Sequence, residues 1–179
     1  MILNLRFLSG ENDDFILDMQ IDSHATFAQL HKAIQQQLQY DASQMASFVI
    51  TDYSWNREEE IALMDLTMDD DHPSTTMESA VIEDYMRDSH QRFLYVFDFF
   101  SERCLFVEIL DMTDGTLAEP ACIRCVGEVP TQIIIDQSLN QQEYLSDSDD
   151  DLFDEMDEFD DFDPDNDYNA ESFDDDNQY

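Results

Sequence analysis

A chain of 179 residues with 42% hydrophobic side chains can bury a core, and its length suits one domain with an appended segment. Its charge is extreme, since 7 Lys and Arg face 44 Asp and Glu for a net −37. That sign repels phosphate backbones and anionic lipid, which excludes counterion-driven nucleic-acid binding and membrane-surface attachment and favours a basic protein as partner.

The first element is an alternating pair. Met1, Leu3, Leu5 and Phe7 share one face, Ser9 to Asp14 turns the chain, and Phe15, Leu17, Met19 and Ile21 share a face on the return. This pattern predicts a half-buried antiparallel hairpin. Met1 to Gly10 carries neither the positive n-region nor the long apolar h-region of a signal peptide. No run approaches the roughly 18 apolar residues of a membrane span, so a cytoplasmic location with reduced thiols is expected.

A helix is predicted from Phe27 to Gln39. Thr26 and Gln29 form a T-x-x-Q capping box, and Phe27, Leu30, Ile34 and Leu38 make its apolar stripe. His31 flanks the stripe and reads as a partly buried histidine, because no acid or nucleophile lies near it in sequence. Met45 to Asp52 returns as a strand. Strand, strand, helix, strand at these spacings resembles the β-grasp arrangement, and a mixed sheet would follow. A modifier role is not expected, since there is no terminal Gly-Gly and the chain holds only three glycines.

Beyond Tyr53 the pattern weakens. Trp55 with Asn56 to Glu60 reads as a loop, Ile61, Leu63 and Leu66 as a short strand, and Asp69 to Pro73 as a breaker. Thr76 to Arg87 has helical character through Met77, Val81 and Tyr85. Arg92 to Leu110 is the densest aromatic and branched block, two strands joined by a turn at Ser101 to Arg103. Phe93, Tyr95, Phe97 and Phe99 fall on one face and Leu94, Val96 and Phe100 on the other, which predicts a strand covered on both sides at the sheet centre. Asp111 to Glu119 turns at Asp114-Gly115, Glu119 to Pro130 reads as an irregular proline-bounded loop, and Ile133 to Ile135 as a last short strand.

Ser146 to Tyr179 differs from everything before it. It holds 17 of the acids and no base, leaving the preceding 145 residues at −20. Isolated Leu152, Phe153, Met156, Phe159, Phe162, Tyr168 and Phe173 punctuate the acids. Self-repulsion predicts a disordered tail beyond a single domain of residues 1–145, and the interleaved aromatics suit docking on a basic surface with apolar pockets. Phe153, Phe159, Phe162, Tyr168 and Phe173 are therefore the candidate partner-binding residues.

The helix phrase Leu30-His31-Lys32-Ala33-Ile34-Gln35, the strand Phe93 to Phe99, and the Pro120-x-Cys122 loop running on to Gly127-Glu128-x-x-Pro130 stand in an order that resembles the Ri-plasmid "ORF three"-like family. Its members also go by the description of TnpR-type insertion-element passenger proteins. Tyr95, Phe97, Asp98 and Phe99 match the first part of the family phrase Y-x-Y-D-F-G-D-x-W. Phe100-Ser101 replaces its Gly-Asp, and the family's PPED-like continuation is missing after Pro130. The resemblance covers roughly residues 1 to 137 and implies an α+β fold without implying a chemistry. Recombinase activity is not expected from a chain too acidic to hold DNA.

Other candidate sites are weak by spacing. Cys122-x-x-Cys125 is half of a zinc knuckle, and the histidines at 24, 31, 72 and 90 supply no second pair, so buried free thiols are expected there and at Cys104. Asp163-x-Asp165-x-Asp167-x-Asn169 has calcium-loop spacing, but Tyr168 stands where the loop requires Gly and Asp174 where it requires Glu. Asp98 is a candidate catalytic acid, set against the commoner role of bonding turn amides. With no nucleophile-base set or phosphate loop, the expected function is a non-catalytic interaction protein without cofactor or metal. Two alternatives remain open: a ligand binder or enzyme with a site between the aromatic hairpin and the Cys122 to Pro130 loop, and a mobile-element passenger whose acidity serves only solubility.

Overall fold

The alternating residues of the N-terminal third fold as their pattern requires. In the computed structural model, which describes residues 1–65 and 74–133, β1 (Ile2–Ser9) and β2 (Ile16–Asp22) form the expected hairpin, with Leu3, Leu5, Phe7, Leu17, Met19 and Ile21 buried. Helix α1 (Phe27–Leu38) starts at the Thr26 capping box and ends through Gln39, whose φ of 57° lets its N–H reach the Gln35 carbonyl. Strands β3 (Ser47–Thr51), β4 (Arg57–Ala62), β5 (Arg92–Asp98), β6 (Arg103–Thr113) and β7 (Ala121–Val126) complete one sheet in the order β4-β3-β5-β6-β1-β2-β7. The fold is thus α+β, a seven-stranded sheet with one α-helix among the described residues.

The aromatic hairpin lies at the sheet centre as expected, and all five residues from Phe93 to Phe97 are buried. Helix α1 packs across one face, with Phe27 against Phe48 and Phe93 at ring separations of 5.0 and 6.0 Å. Burying aromatic rings of this size dominates the stabilisation of such a core.

The opposite face is arranged in rows by the strand register. One row alternates charge through Arg124, Asp18, Arg6, Glu108 and Arg92. The row beside it is apolar: Val126, Ile16, Leu8, Phe106, Leu94 and Val49. Val49, Leu94 and Val96 form a second, smaller core beneath Trp55, Cys104 and Phe106.

Several expectations need correction. Every paired strand runs antiparallel, so the sheet is not mixed, and the first strand is flanked by β2 and an antiparallel β6, which does not establish a β-grasp. Arg57 to Glu60 is strand rather than loop: these exposed charges belong to β4 at the sheet edge, where only one side needs a partner.

Thr76 to Arg87 is not an α-helix but a turn at Met77 to Ser79 followed by a short 3₁₀ helix at Ile82–Tyr85. The Ala80 and Met77 carbonyls instead accept the Phe27 and Ala28 N–H groups, satisfying donors that a helix start leaves unpaired. Phe99 and Phe100 lie in the turn between β5 and β6 and are exposed. Residues 121–126 form β7 rather than an irregular loop, so Cys122 and Cys125 are exposed instead of buried, while Cys104 is partly buried. Ile133 is not in a strand; the expectations for Leu66, Asp69 to Pro73, Ile134, Ile135, the domain boundary at 145 and the tail with its five aromatic candidates lie outside the described residues.

Candidate functional site

A cleft of about 210 Å³ opens where β3 ends and β5 begins. Asp52 builds one wall by capping the turn that follows β3. Its Oδ1 accepts the Ser54 and Asn56 amides at 2.7 and 2.9 Å, and Oδ2 accepts the Asn56 side chain at 2.7 Å. The turn, with Trp55 at φ 64°, presents Tyr53 and Trp55 to the Arg92 guanidinium at 5.7 and 5.0 Å from their ring centres. Arg92 also donates to the Tyr53 carbonyl and, at 3.3 Å, to Glu108. Buried Gln91 donates to the Thr51 and Arg92 carbonyls, both at 2.9 Å, and accepts the Arg87 amide at 3.2 Å.

Most charged groups around this cleft are therefore spent on one another. Arg87 pairs with Glu58, and the Asp88 carboxylate accepts the His90 amide at 2.7 Å. Asp88 also holds the Tyr53 hydroxyl, whose pKa is raised mainly by that bond. Two buried atoms, Thr51 Oγ1 and Arg92 Nε, have no hydrogen-bond partner among the described residues. The cleft works as a clamp joining the β3 turn to β5, and its nearest polar groups make no nucleophile-base pair.

Asp98 takes the turn role. Its Oδ1 accepts the Phe100 and Ser101 amides at 3.2 Å, and Arg103 lies 3.6 Å away. Burial works to raise its pKa, but the Ser101 bonds, Arg103 and the Phe100 amide outweigh it and hold it below the usual carboxylate value. Arg103 grips Glu11 through two bonds of 2.6 Å and lies 5.1 Å over the Phe97 ring, with Glu11 lowered chiefly by that grip. An acid fixed as carboxylate by a guanidinium and turn amides is a poor proton donor at neutral pH.

His31 is more buried than its sequence position suggested. Its Nδ1 lies 3.0 Å from the Tyr95 hydroxyl, and burial lowers its pKa to about 4 while raising that of Tyr95. The pair is neutral near pH 7 and joins α1 to the central strand. Neither residue could be matched to the other in sequence, because helix and strand meet only in the folded sheet. The Cys122 and Cys125 thiols stand in β7 on either side of a register shift, and burial is the main cause that raises Cys122. Among the described residues no group of three His, Cys, Asp or Glu is placed to hold a metal ion.

The sequence profile of the plasmid pRiA4b ORF-3-like proteins matches residues 7–176. The chain belongs to that family. The match continues beyond the roughly 137 residues that carry the motif resemblance and takes in most of the acidic segment. The plasmid pRiA4b ORF-3-like family has no established function. No curated protein matches the chain. Among solved structures, the chain is similar to a protein of unknown function, MM3350 from Methanosarcina mazei Go1, at 22% identity and a TM-score of 0.48, covering 69% of this chain and 67% of that one. No helix among the described residues is long and apolar enough to cross a membrane.

Proposed function

We propose that this member of the plasmid pRiA4b ORF-3-like family is a non-catalytic interaction module of the cytoplasm that binds basic protein partners through its acidic exterior and its acidic, aromatic-bearing tail. The supporting observation is how the bases are used. Five of the seven, Arg6, Arg57, Arg87, Arg92 and Arg103, sit in ion pairs with acids of the fold. The large surplus of acid therefore faces outward without a compensating base, as at Glu59 and Glu60 on the exposed edge of β4. Such a field speeds encounter with cations and repels nucleic acid. The acidic segment's Phe153, Phe159, Phe162, Tyr168 and Phe173 would add apolar contacts to that charge.

The test is capture on an immobilised lysine-rich protein, comparing the full chain with one ending before Ser146 at rising salt. Stronger capture by the full chain that falls with salt supports the reading. Equal capture by both, unaffected by salt, contradicts it.

A further inference from the structure

The two ends of the sheet are built differently. At one end β4 presents Arg57, Glu58, Glu59 and Glu60 to solvent, the charged edge that discourages another strand from adding. At the other end β7 carries one charge, Arg124, in the sequence Ala-Cys-Ile-Arg-Cys-Val. Ile123 is 59% and Val126 38% exposed. Among the described residues no backbone group pairs with the outer side of β7. An unpaired edge of this kind is a template for an extended peptide, which gains main-chain hydrogen bonds from the strand and selectivity from alternate side chains.

The surroundings say what kind of peptide fits. Glu119 precedes the strand and Glu128 follows it. The Gly127 backbone lies against Asp14, and the Asn12 side chain donates to the Glu128 carbonyl at 2.9 Å, which brings the β1–β2 turn with Asp13 and Asp14 to the same end. Acids thus bracket both ends of an apolar strand. Val126 is also the terminal residue of the apolar row that crosses the open face through Ile16, Leu8 and Phe106. An apolar side chain placed beside Val126 would lengthen that row by one strand.

We propose that β7 is the docking edge for an extended basic peptide with alternating cationic and apolar residues, added as an eighth strand beside Ala121 to Val126. One of its apolar residues, beside Val126, continues the open-face row, and its cations meet Glu119 at one end and Asp13, Asp14 and Glu128 at the other. This rests on the reading that the protein binds basic partners, and it gives that reading a place and a geometry.

The probe is the peptide Lys-Val-Lys-Val-Lys-Val-Lys, titrated into the full-length chain at low salt. Its control has the central valine replaced by proline, which keeps the charge and removes a ladder donor. The alternating peptide is expected to bind about tenfold more tightly than the control, a difference of about 1.4 kcal/mol, and to slow amide exchange within residues 121–126. The double variant Ile123→Glu with Val126→Glu makes the chain more acidic, so attraction by charge alone would strengthen binding. Docking on the edge requires the opposite, a loss of about tenfold.

Unchanged or tighter binding by the double variant, or equal affinity for the two peptides, overturns the edge while leaving charge-driven partner binding intact. Absence of binding by either peptide at low salt overturns both. A chain that sediments as a dimer with its β7 amides already protected overturns the proposal too, since a second copy would then hold the edge.

Discussion

Replacing His31 by Gln should make the protein less sensitive to mild acid. In the folded chain His31 is buried against the Tyr95 hydroxyl and titrates near pH 4, whereas an unfolded histidine titrates near 6.5. Because the folded value is the lower one, the unfolded chain takes up a proton first as pH falls. Stability is therefore complete above about pH 6.5 and is lost progressively down to about pH 4. Integrating the two titrations from pH 7 to pH 5 gives a loss of about 2 kcal/mol assignable to this residue. Gln has no proton to gain in this range, can still hydrogen-bond Tyr95, and suits a helix interior. Urea unfolding followed by far-ultraviolet circular dichroism at pH 7 and pH 5 gives the comparison. The wild type should lose about 2 kcal/mol more than His31→Gln over that interval, and subtracting the variant removes the shared response of the many carboxylates. Equal losses in the two proteins would refute the placement of His31 as a buried neutral group.

Three further outcomes follow from the packing. Arg103→Gln leaves Glu11 and Asp98 facing each other without their shared cation and should cost about 2 kcal/mol near neutral pH, measured by denaturant unfolding. Both acids have lowered folded pKa values, so that cost should shrink as pH falls and they take up protons. Gly127→Ala places a Cβ 2.2 Å from the Asp14 carbonyl oxygen at a φ of 80°, and a drop of about 2 kcal/mol or more should appear as a lower melting temperature. In the native state a thiol reagent should modify exposed Cys125 fastest and partly buried Cys104 slowest, with Cys122, exposed but raised in pKa, between them.

The legible parts of the fold are those where one local period decides. The Leu3 and Leu17 alternations, the Thr26 to Gln29 cap and the doubly apolar Phe93 to Phe97 strand each carry their structure within a few residues. The illegible parts are edges and straps. β7 sits between prolines and a register shift between Cys122 and Arg124 interrupts its period, so Cys122 to Val126 read as loop. β4 hid behind the unbroken charge run Arg57 to Glu60, which shows no alternation because both its faces there are exposed.

Met77, Val81 and Tyr85 imitated a helical stripe, although their segment is a tight turn and a short 3₁₀ helix that caps α1 from outside. The polar clusters were equally hidden. Arg103 with Glu11, and His31 with Tyr95, join residues far apart in sequence, and only the central hairpin turn around Asp98 could be anticipated from neighbouring residues.

The central claim, that outward-facing acid recruits basic partners, is tested most directly by the salt dependence of binding. Calorimetric titration of the full-length chain with a lysine-rich protein at several salt concentrations should give a saturable isotherm whose affinity falls steadily as salt rises. Binding that is absent at low salt, or that holds the same affinity across the series, would contradict it.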